Sequence, residues 1–322
     1  MHSKENGEIL ISVVIPIYNN SPFLEELSSR LQLSLEGITK NFEIIFVNDQ
    51  SKDDSWEIIK EIINNNSHVV GINFARNFGQ HYAITAGLDR SKGEWIVVMD
   101  GDLQDKPEEI EKMFKRALEG YDIVQGRRFN RKDGILKKLS SKLFYSLFSY
   151  LTDTEQDEAI ANFGVYHRRV INVIISMREN LRFFPVMIKW SGFSSTTVDI
   201  DHGKREHGKS GYSFKKLIVL SINTIISFSD KPLRLTVKMG FAISIASILY
   251  VLYITVKALL GITSIQGWAS LIASIWLLGG LIIFILGTLG LYVSKIFDET
   301  KKRPMYIVRE IYEQENHDVF NE

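Results

Sequence analysis

Two patterns of apolar residues alternate along the first part of the chain. "ILISVVIPIYN" (9–19) is a continuous apolar run that predicts a buried strand. "SPFLEELSSRLQLSLEGI" (21–38) then places apolar residues at helical spacing, with Ser21 in position to cap the helix. The alternation repeats with strands at "FEIIFVNDQS" (42–51), "HVVGINFA" (68–75) and "GEWIVVMDGD" (93–102). Helices follow each of them, at 53–66, 79–91 and 107–120, the last opened by Pro107 at a first-turn position. "YDIVQGRR" (121–128) predicts a fifth strand. This βαβα order calls for an α/β fold with a parallel, doubly wound sheet. Ligands of such sheets bind beyond the carboxyl ends of the strands.

The second half has another texture. No residue is charged from Met239 to Val256, nor from Ala258 to Ser294. About 20 apolar residues cross a bilayer as a helix, so two spans are expected, near 235–256 and 269–294. Two buried helices of a water-soluble core are the alternative. Lys231, Arg234 and Lys238 precede the first span, and Lys295, Lys301, Lys302 and Arg303 follow the second. The turn between them carries only Lys257. Positive residues stay cytoplasmic, so both ends are expected on that side, with residues 1–213 as a cytoplasmic domain and 297–322 as a cytoplasmic tail. "GILKKLSSKLFYSLFSYL" (134–151) sets an apolar stripe beside lysines, as an interfacial helix does. "FKKLIVLSINTIISFS" (214–229) repeats that character just before the first span.

Composition adds constraints. Lysine plus arginine equals aspartate plus glutamate, 38 each, so net charge indicates no nucleic acid or other particular partner. Cysteine is absent, which excludes disulfides and thiolate metal sites. The N-terminal "MHSKENGEIL" has no apolar core long enough for a signal peptide.

Candidate chemistry gathers at the predicted strand ends. Asp49 ends the second strand, and Asp100 and Asp102 end the fourth, on the same rim. Residues i and i+2 of an extended segment share a face, so the last two carboxylates converge. Convergent oxygen donors suit a hard divalent cation carrying a phosphate ligand, while Asp-Gly-Asp alone is equally an ordinary turn. Farther on, Arg127, Arg128, Arg131, Lys132, Lys137, Lys138 and Lys142 are opposed only by Asp133. That cluster reads either as a solvated face or as an anion site.

Four stretches in order, "VVIPIYNN", "IIFVNDQSKDDS", "NFARNFGQHYAITAGL" and "VMDGDLQDKPEEI", resemble the family 2 glycosyltransferases of GT-A fold. The match is strongest to the polyprenyl-phosphate subgroup, which includes dolichyl-phosphate mannose synthase and the bacterial undecaprenyl-phosphate glucosyl- and formamidoarabinosyl-transferases. The resemblance implies a metal-dependent, inverting transferase that moves a sugar from a UDP-, dTDP- or GDP-linked donor to a polyprenyl phosphate at the cytoplasmic membrane. It implies that Pro16, Tyr18 and Asn19 line the nucleotide pocket, that Asp49 holds the base, and that Arg76 and Gly79 lie beside the nucleotide. Asp100, Asp102 and Gln104 would bind Mg²⁺ or Mn²⁺ and through it the donor diphosphate. Arg127, Arg131, Arg205 and Ser210 would receive the acceptor phosphate, and Arg205 would also bind the donor, in a segment that closes over its diphosphate. The family also suggests a homo-oligomer.

Two positions depart from the family pattern. Gly211 stands where a lysine is usual, and Asn162 where an aspartate often sits beside the acceptor. Asn162 cannot act as a base, and Asp157 and Glu158 lie just upstream. A same-fold transferase attacking a sugar hydroxyl, which needs a base, and a non-catalytic membrane scaffold are the rival expectations.

Overall fold

The computed structural model describes residues 10–128, 160–201, 225–226, 229–260 and 267–314. They belong to two compact units: a sheet unit that includes residues 304–314, and a helical unit from 229 to 303.

In the sheet unit the apolar runs become strands buried along their whole length: β1 (Ile11–Ile17), β2 (Phe42–Asn48), β3 (Val69–Phe74) and β4 (Trp95–Val98). Strands enclosed on both faces need helices on both sides. α1 (Leu24–Glu36), α2 (Ser55–Asn65) and α4 (Glu109–Ala117) cover one face, over a core that joins Ile11, Val13 and Ile15 to Leu27, Leu31, Ile59 and Met113. α3 (Gln80–Arg90) lies on the other face, against β1. Ser21 does not cap α1. It opens a short 3₁₀ turn, Ser21–Phe23, and its N–H is held at 3.0 Å by Asp53 from the next connection.

β5 (Ile123–Arg128), β6 (Ile160–His167), α5 (Arg168–Ser176), α6 (Phe184–Trp190) and β7 (Ser195–Ile200) complete the sheet, with a last strand β8 (Val308–Glu313). The strand order is β7-β5-β6-β4-β1-β2-β3-β8. β1 to β5 and β7 run one way, while β6 and β8 run against them. The fifth strand is therefore not a neighbour of the fourth, because antiparallel β6 lies between them. The expected cytoplasmic tail divides as well: its residues 308–313 join the sheet as β8 and cover the edge of β3.

Several side chains fasten this last segment. The Tyr306 ring stacks on Phe74 at 5.3 Å, and its hydroxyl donates to Asp89 at 2.6 Å. Arg178 grips the same carboxylate through two nitrogens, each at 2.9 Å. Arg90 pairs with Glu313 at 2.6 Å. An uncovered edge strand offers unpaired backbone groups to other chains, and β8 removes that hazard at β3.

In the helical unit, α7 (Lys231–Leu259) has 29 residues and α8 (Trp268–Thr300) has 33. At about 1.5 Å per residue each is longer than the roughly 30 Å apolar core of a bilayer. Both are long and apolar enough to cross a membrane. Their large apolar side chains point outward, among them Phe241, Trp276 and Ile283, rather than into a water-soluble core. Within the unit, the Tyr292 hydroxyl donates to the Ser229 carbonyl at 2.9 Å. The interfacial helix expected at 135–151 lies outside the described residues, as does nearly all of 214–230.

α3 is the element that matters most for the strand ends, and two features fix it. A Cβ on Gly87 would collide with Val14 Cγ1, so the helix approaches β1 only because that carbon is missing. Near the other end, the His81 ring meets Phe183 edge to face, and its Nδ1 is enclosed without a hydrogen-bond partner. Burial, reinforced by nearby Arg182, pushes the His81 pKa down from 6.5 to about 4. Arg182 is itself buried, donating to the Ile174 and Met177 carbonyls and to Thr85.

Two outcomes are expected. Gly87→Ala should destabilise the protein by about 1–3 kcal/mol through overpacking. In a denaturation cycle with Val14→Ala, the double variant should lose less than the sum of the two single losses. For His81 the unfolded side chain binds a proton near pH 6.5 and the folded one only near 4. Its contribution is therefore complete above pH 6.5 and is lost as pH falls toward 4. The slope over that window is about 1.4 kcal/mol per pH unit for one proton. Melting curves in detergent across this range should show a shallower acid-side decline for His81→Phe than for the wild type.

Candidate active site at the strand ends

β1, β2 and β4 finish on one edge of the sheet, and the chain leaves each through left-handed backbone. Asn19 has φ 55°, Gln50 has φ 52° and Leu103 has φ 59°. Non-glycine residues in this region cost on the order of 1 kcal/mol each and persist where neighbours enforce them.

The enforcing contacts are visible. The Asn19 N–H donates to Ser51 Oγ at 3.0 Å, and its side-chain oxygen accepts the Lys52 N–H at 2.8 Å. Asn20 Nδ2 donates to the Gly101 carbonyl at 3.0 Å, tying the end of β1 to the end of β4. Asp53 accepts from Ser55 Oγ at 2.6 Å as well as from the Ser21 N–H.

Pro16 belongs to the same construction. Val14 accepts the Met99 N–H on the β4 side, and Ile17 accepts the Asp49 N–H on the β2 side. By that alternation Pro16 faces β4, where its missing N–H ends the pairing. The β1–β4 register stops at Val14 and Val98, and β4 diverges into Asp100-Gly101-Asp102. Pro16 is buried and shapes the rim. Tyr18 beside it is 44% exposed.

Asp49, at the end of β2, is tied to the loop after β3. It is buried, and its two oxygens accept the backbone N–H groups of Phe78 at 2.6 Å and Gly79 at 2.8 Å. Burial pushes its pKa up, while the two N–H groups pull it back. Asn77 adds two more ties, to Gln50 at 3.1 Å and to the Asp49 carbonyl at 3.0 Å. Gly79 caps α3 with φ 107°, which a glycine adopts readily. Arg76 is exposed in this loop, with its guanidinium 4.3 Å from the centre of the Phe78 ring.

At the end of β4, Asp100 accepts from Gln80 Nε2 at 2.6 Å, and Asp102 accepts the Gln104 N–H at 3.2 Å. Asp49 and Asp100 are therefore joined through consecutive residues, Gly79 and Gln80. Among the described residues no three acidic or histidine side chains cluster as a ready metal cage. Two carboxylates two residues apart at a strand end suit a cation that takes its remaining ligands from substrate phosphates and water.

β6 brings in Asn162. Phe163 and Val165 point into the same core as Val97 and Met99, so Asn162 and Asp100 share the opposite face of the sheet. The β4–β6 register pairs Val98 with Gly164. The pairing ends there, two residues short of Asn162 on β6 and two short of Asp100 beyond β4. On the far side, Arg127 pairs with Asp199 at 2.6 Å and holds that carboxyl below its usual range. Arg131, Arg205 and Ser210 lie outside the described residues, as do Asp157 and Glu158.

Gln80 and Asn20 were not among the candidate residues. Gln80 sits within the motif "NFGQHY", but its side chain meets Asp100 only after α3 docks on the sheet.

Comparison with known proteins agrees with this architecture. Residues 12–175 match the family model for "Glycosyl transferase family 2". The uncharacterized glycosyltransferase YkcC of Bacillus subtilis (strain 168) is 38% identical over 309 residues, covering 96% of each chain. The undecaprenyl-phosphate 4-deoxy-4-formamido-L-arabinose transferase of Proteus mirabilis (strain HI4320) is 33% identical over 304 residues, covering 94% of this chain and 93% of its own. A solved structure of glucosyl-3-phosphoglycerate synthase from Mycobacterium tuberculosis superposes with a TM-score of 0.49 at 17% identity, over 69% of this chain and 79% of that one. With a GT-A-like sheet whose strand ends carry the acids of the motif, the chain belongs to glycosyl transferase family 2.

Proposed function

We propose that the protein is an inverting transferase that moves a sugar from a nucleotide sugar to a polyprenyl phosphate at the cytoplasmic face of a membrane. The observation that carries this reading is the end of β4, where Asp100 accepts from Gln80 and Asp102 from the Gln104 N–H, with neutral Asn162 on the neighbouring strand β6. Relatives whose names specify undecaprenyl phosphate as acceptor, matched over nearly their whole length, support it.

Asp100, Asp102 and Gln104 would hold a Mg²⁺ or Mn²⁺ ion. When bound, the ion offsets the negative charge that develops on the departing nucleoside diphosphate. Asp49 would serve the donor indirectly, by fixing the loop Arg76–Gly79 against which the nucleotide lies. Tyr18 and Asn19 would border the same pocket.

On the acceptor side, the choice of nucleophile explains the missing base. A phosphate monoester has a second pKa near about 6 and is largely dianionic at neutral pH. Its oxygen can attack the anomeric carbon without first losing a proton. A sugar hydroxyl would need a base within reach. The amide of Asn162 offers none, and it spares an incoming dianion the repulsion of a third carboxylate. Arg127, with Arg131, Arg205 and Ser210, would receive the phosphate, for which a guanidinium fork is well shaped. The Arg127–Asp199 pair is half exposed, and water screens such pairs so well that they contribute little. A dianion can therefore displace Asp199.

The chain enters α7 from the sheet unit and returns to it at Pro304 after α8. If both helices cross a bilayer, their outer ends lie on one side, and the flanking lysines and arginines make that side cytoplasmic. The sheet unit, joined to both of those ends, then works on the side where the lipid phosphate is presented.

Asp102→Ala should lower sugar transfer by about 100-fold or more while leaving folding and membrane insertion intact. The assay is transfer of label from a panel of nucleotide sugars to undecaprenyl phosphate in detergent, and chelation by EDTA should have the same effect on the wild type. Retained activity would remove the cation from the mechanism. Asn162→Asp should reduce transfer to the lipid phosphate about tenfold, roughly 1.4 kcal/mol of repulsion, and Asp157→Asn with Glu158→Gln should leave it unchanged. A gain on Asn162→Asp, or loss on removing Asp157 and Glu158, would favour a hydroxyl acceptor.

A further inference from the structure

Within the cation reading above, we propose that Gln80 is a positioning residue that sets the orientation of the Asp100 carboxylate for cation binding. Its side-chain Nε2 donates to Asp100 Oδ1 at 2.6 Å in a partly buried setting. A hydrogen bond to one carboxylate oxygen fixes the rotation of the group and leaves the other oxygen directed elsewhere. Such outer partners orient ligands, and their loss typically weakens metal affinity about 10–100-fold.

The identity of the donor matters. An amide supplies an N–H without a charge, so it steadies Asp100 without neutralising it. A lysine or arginine would compete with the cation for the same carboxylate, and a glutamate would add repulsion. Gln80 therefore restrains Asp100 without bringing a countercharge of its own.

The donor is also delivered by a rigid element. Gln80 is the first residue of α3, directly after Gly79, whose N–H is clamped by Asp49 at 2.8 Å. The Gly79 carbonyl in turn accepts the N–H groups of Tyr82 and Ala83, starting the helix. Farther along, the absent Cβ of Gly87 lets α3 sit close on Val14 of β1, next to β4. The backbone of residue 80 is thus held at both ends, and its amide has a defined distance to cover.

The experiment measures Mn²⁺ itself, by the loss of the free-ion electron paramagnetic resonance signal on titrating full-length protein in detergent. Wild type, Gln80→Met, Gln80→Leu and Asp100→Asn are compared, each with a melting curve. Methionine keeps the length and helix preference of glutamine but cannot donate. The expected result is binding by the wild type, loss in Asp100→Asn, and about 10–100-fold weaker binding in both Gln80 variants at unchanged melting temperature. Wild-type affinity in Gln80→Met, with binding still lost in Asp100→Asn, overturns the proposal and leaves the cation reading standing. Weakened binding that only follows a lowered melting temperature in both variants overturns it too, since Gln80 would then be merely structural. Mn²⁺ uptake that is absent in the wild type, or unaffected by Asp100→Asn, sinks the cation reading and the proposal with it.

Discussion

The grip of Asp49 on two main-chain N–H groups organises the whole rim. A buried carboxylate must find hydrogen-bond donors or lose much of its ionised character, and the loop after β3 supplies them from Phe78 and Gly79. That bond sets where α3 begins. It thereby places Gln80 at Asp100 and brings β2, β3 and β4 into one site, although their ends are far apart in the chain. The left-handed residues Asn19, Gln50 and Leu103 turn the connections away from the same edge. Strain of this kind survives because polar side chains of neighbouring turns hold it.

The rim also shows how a site can be acidic without becoming a closed metal cage. Asp100 and Asp102 end β4 with two carboxylates, and Gln80 donates to one oxygen of Asp100 as a neutral group. A site so made leaves coordination positions for a phosphorylated ligand. Basic residues stand across β5 and β7, where Arg127 is balanced by Asp199 in an exchangeable pair.

The membrane-directed helices follow a different rule. Their Phe, Trp, Ile and Leu side chains are exposed on the described chain, and both helices are long and apolar enough to cross a membrane. β8 then returns the chain to the edge of β3, held by Tyr306 and by the Arg90–Glu313 pair. A segment that composition marks as a charged tail is in fact part of the catalytic sheet.

Four buried strands, the helices between them and the two long apolar helices were legible in the sequence, because each is set by periodicity within one short window. The acids at the strand ends were legible too, since a parallel sheet sends all its carboxyl ends to one rim. β6, β7 and β8 were not. β6 runs antiparallel between β4 and β5, β8 lies more than 200 residues from its partner β3, and neither pairing leaves a local signal. Likewise Asp49 was identified by its place at a strand end, while its hydrogen bonds depended on a loop 29 and 30 residues away. Local pattern determines which segments become strands or helices. Which side chains meet is decided only when distant segments pack, because a hydrogen bond depends on position in space and not on separation along the chain.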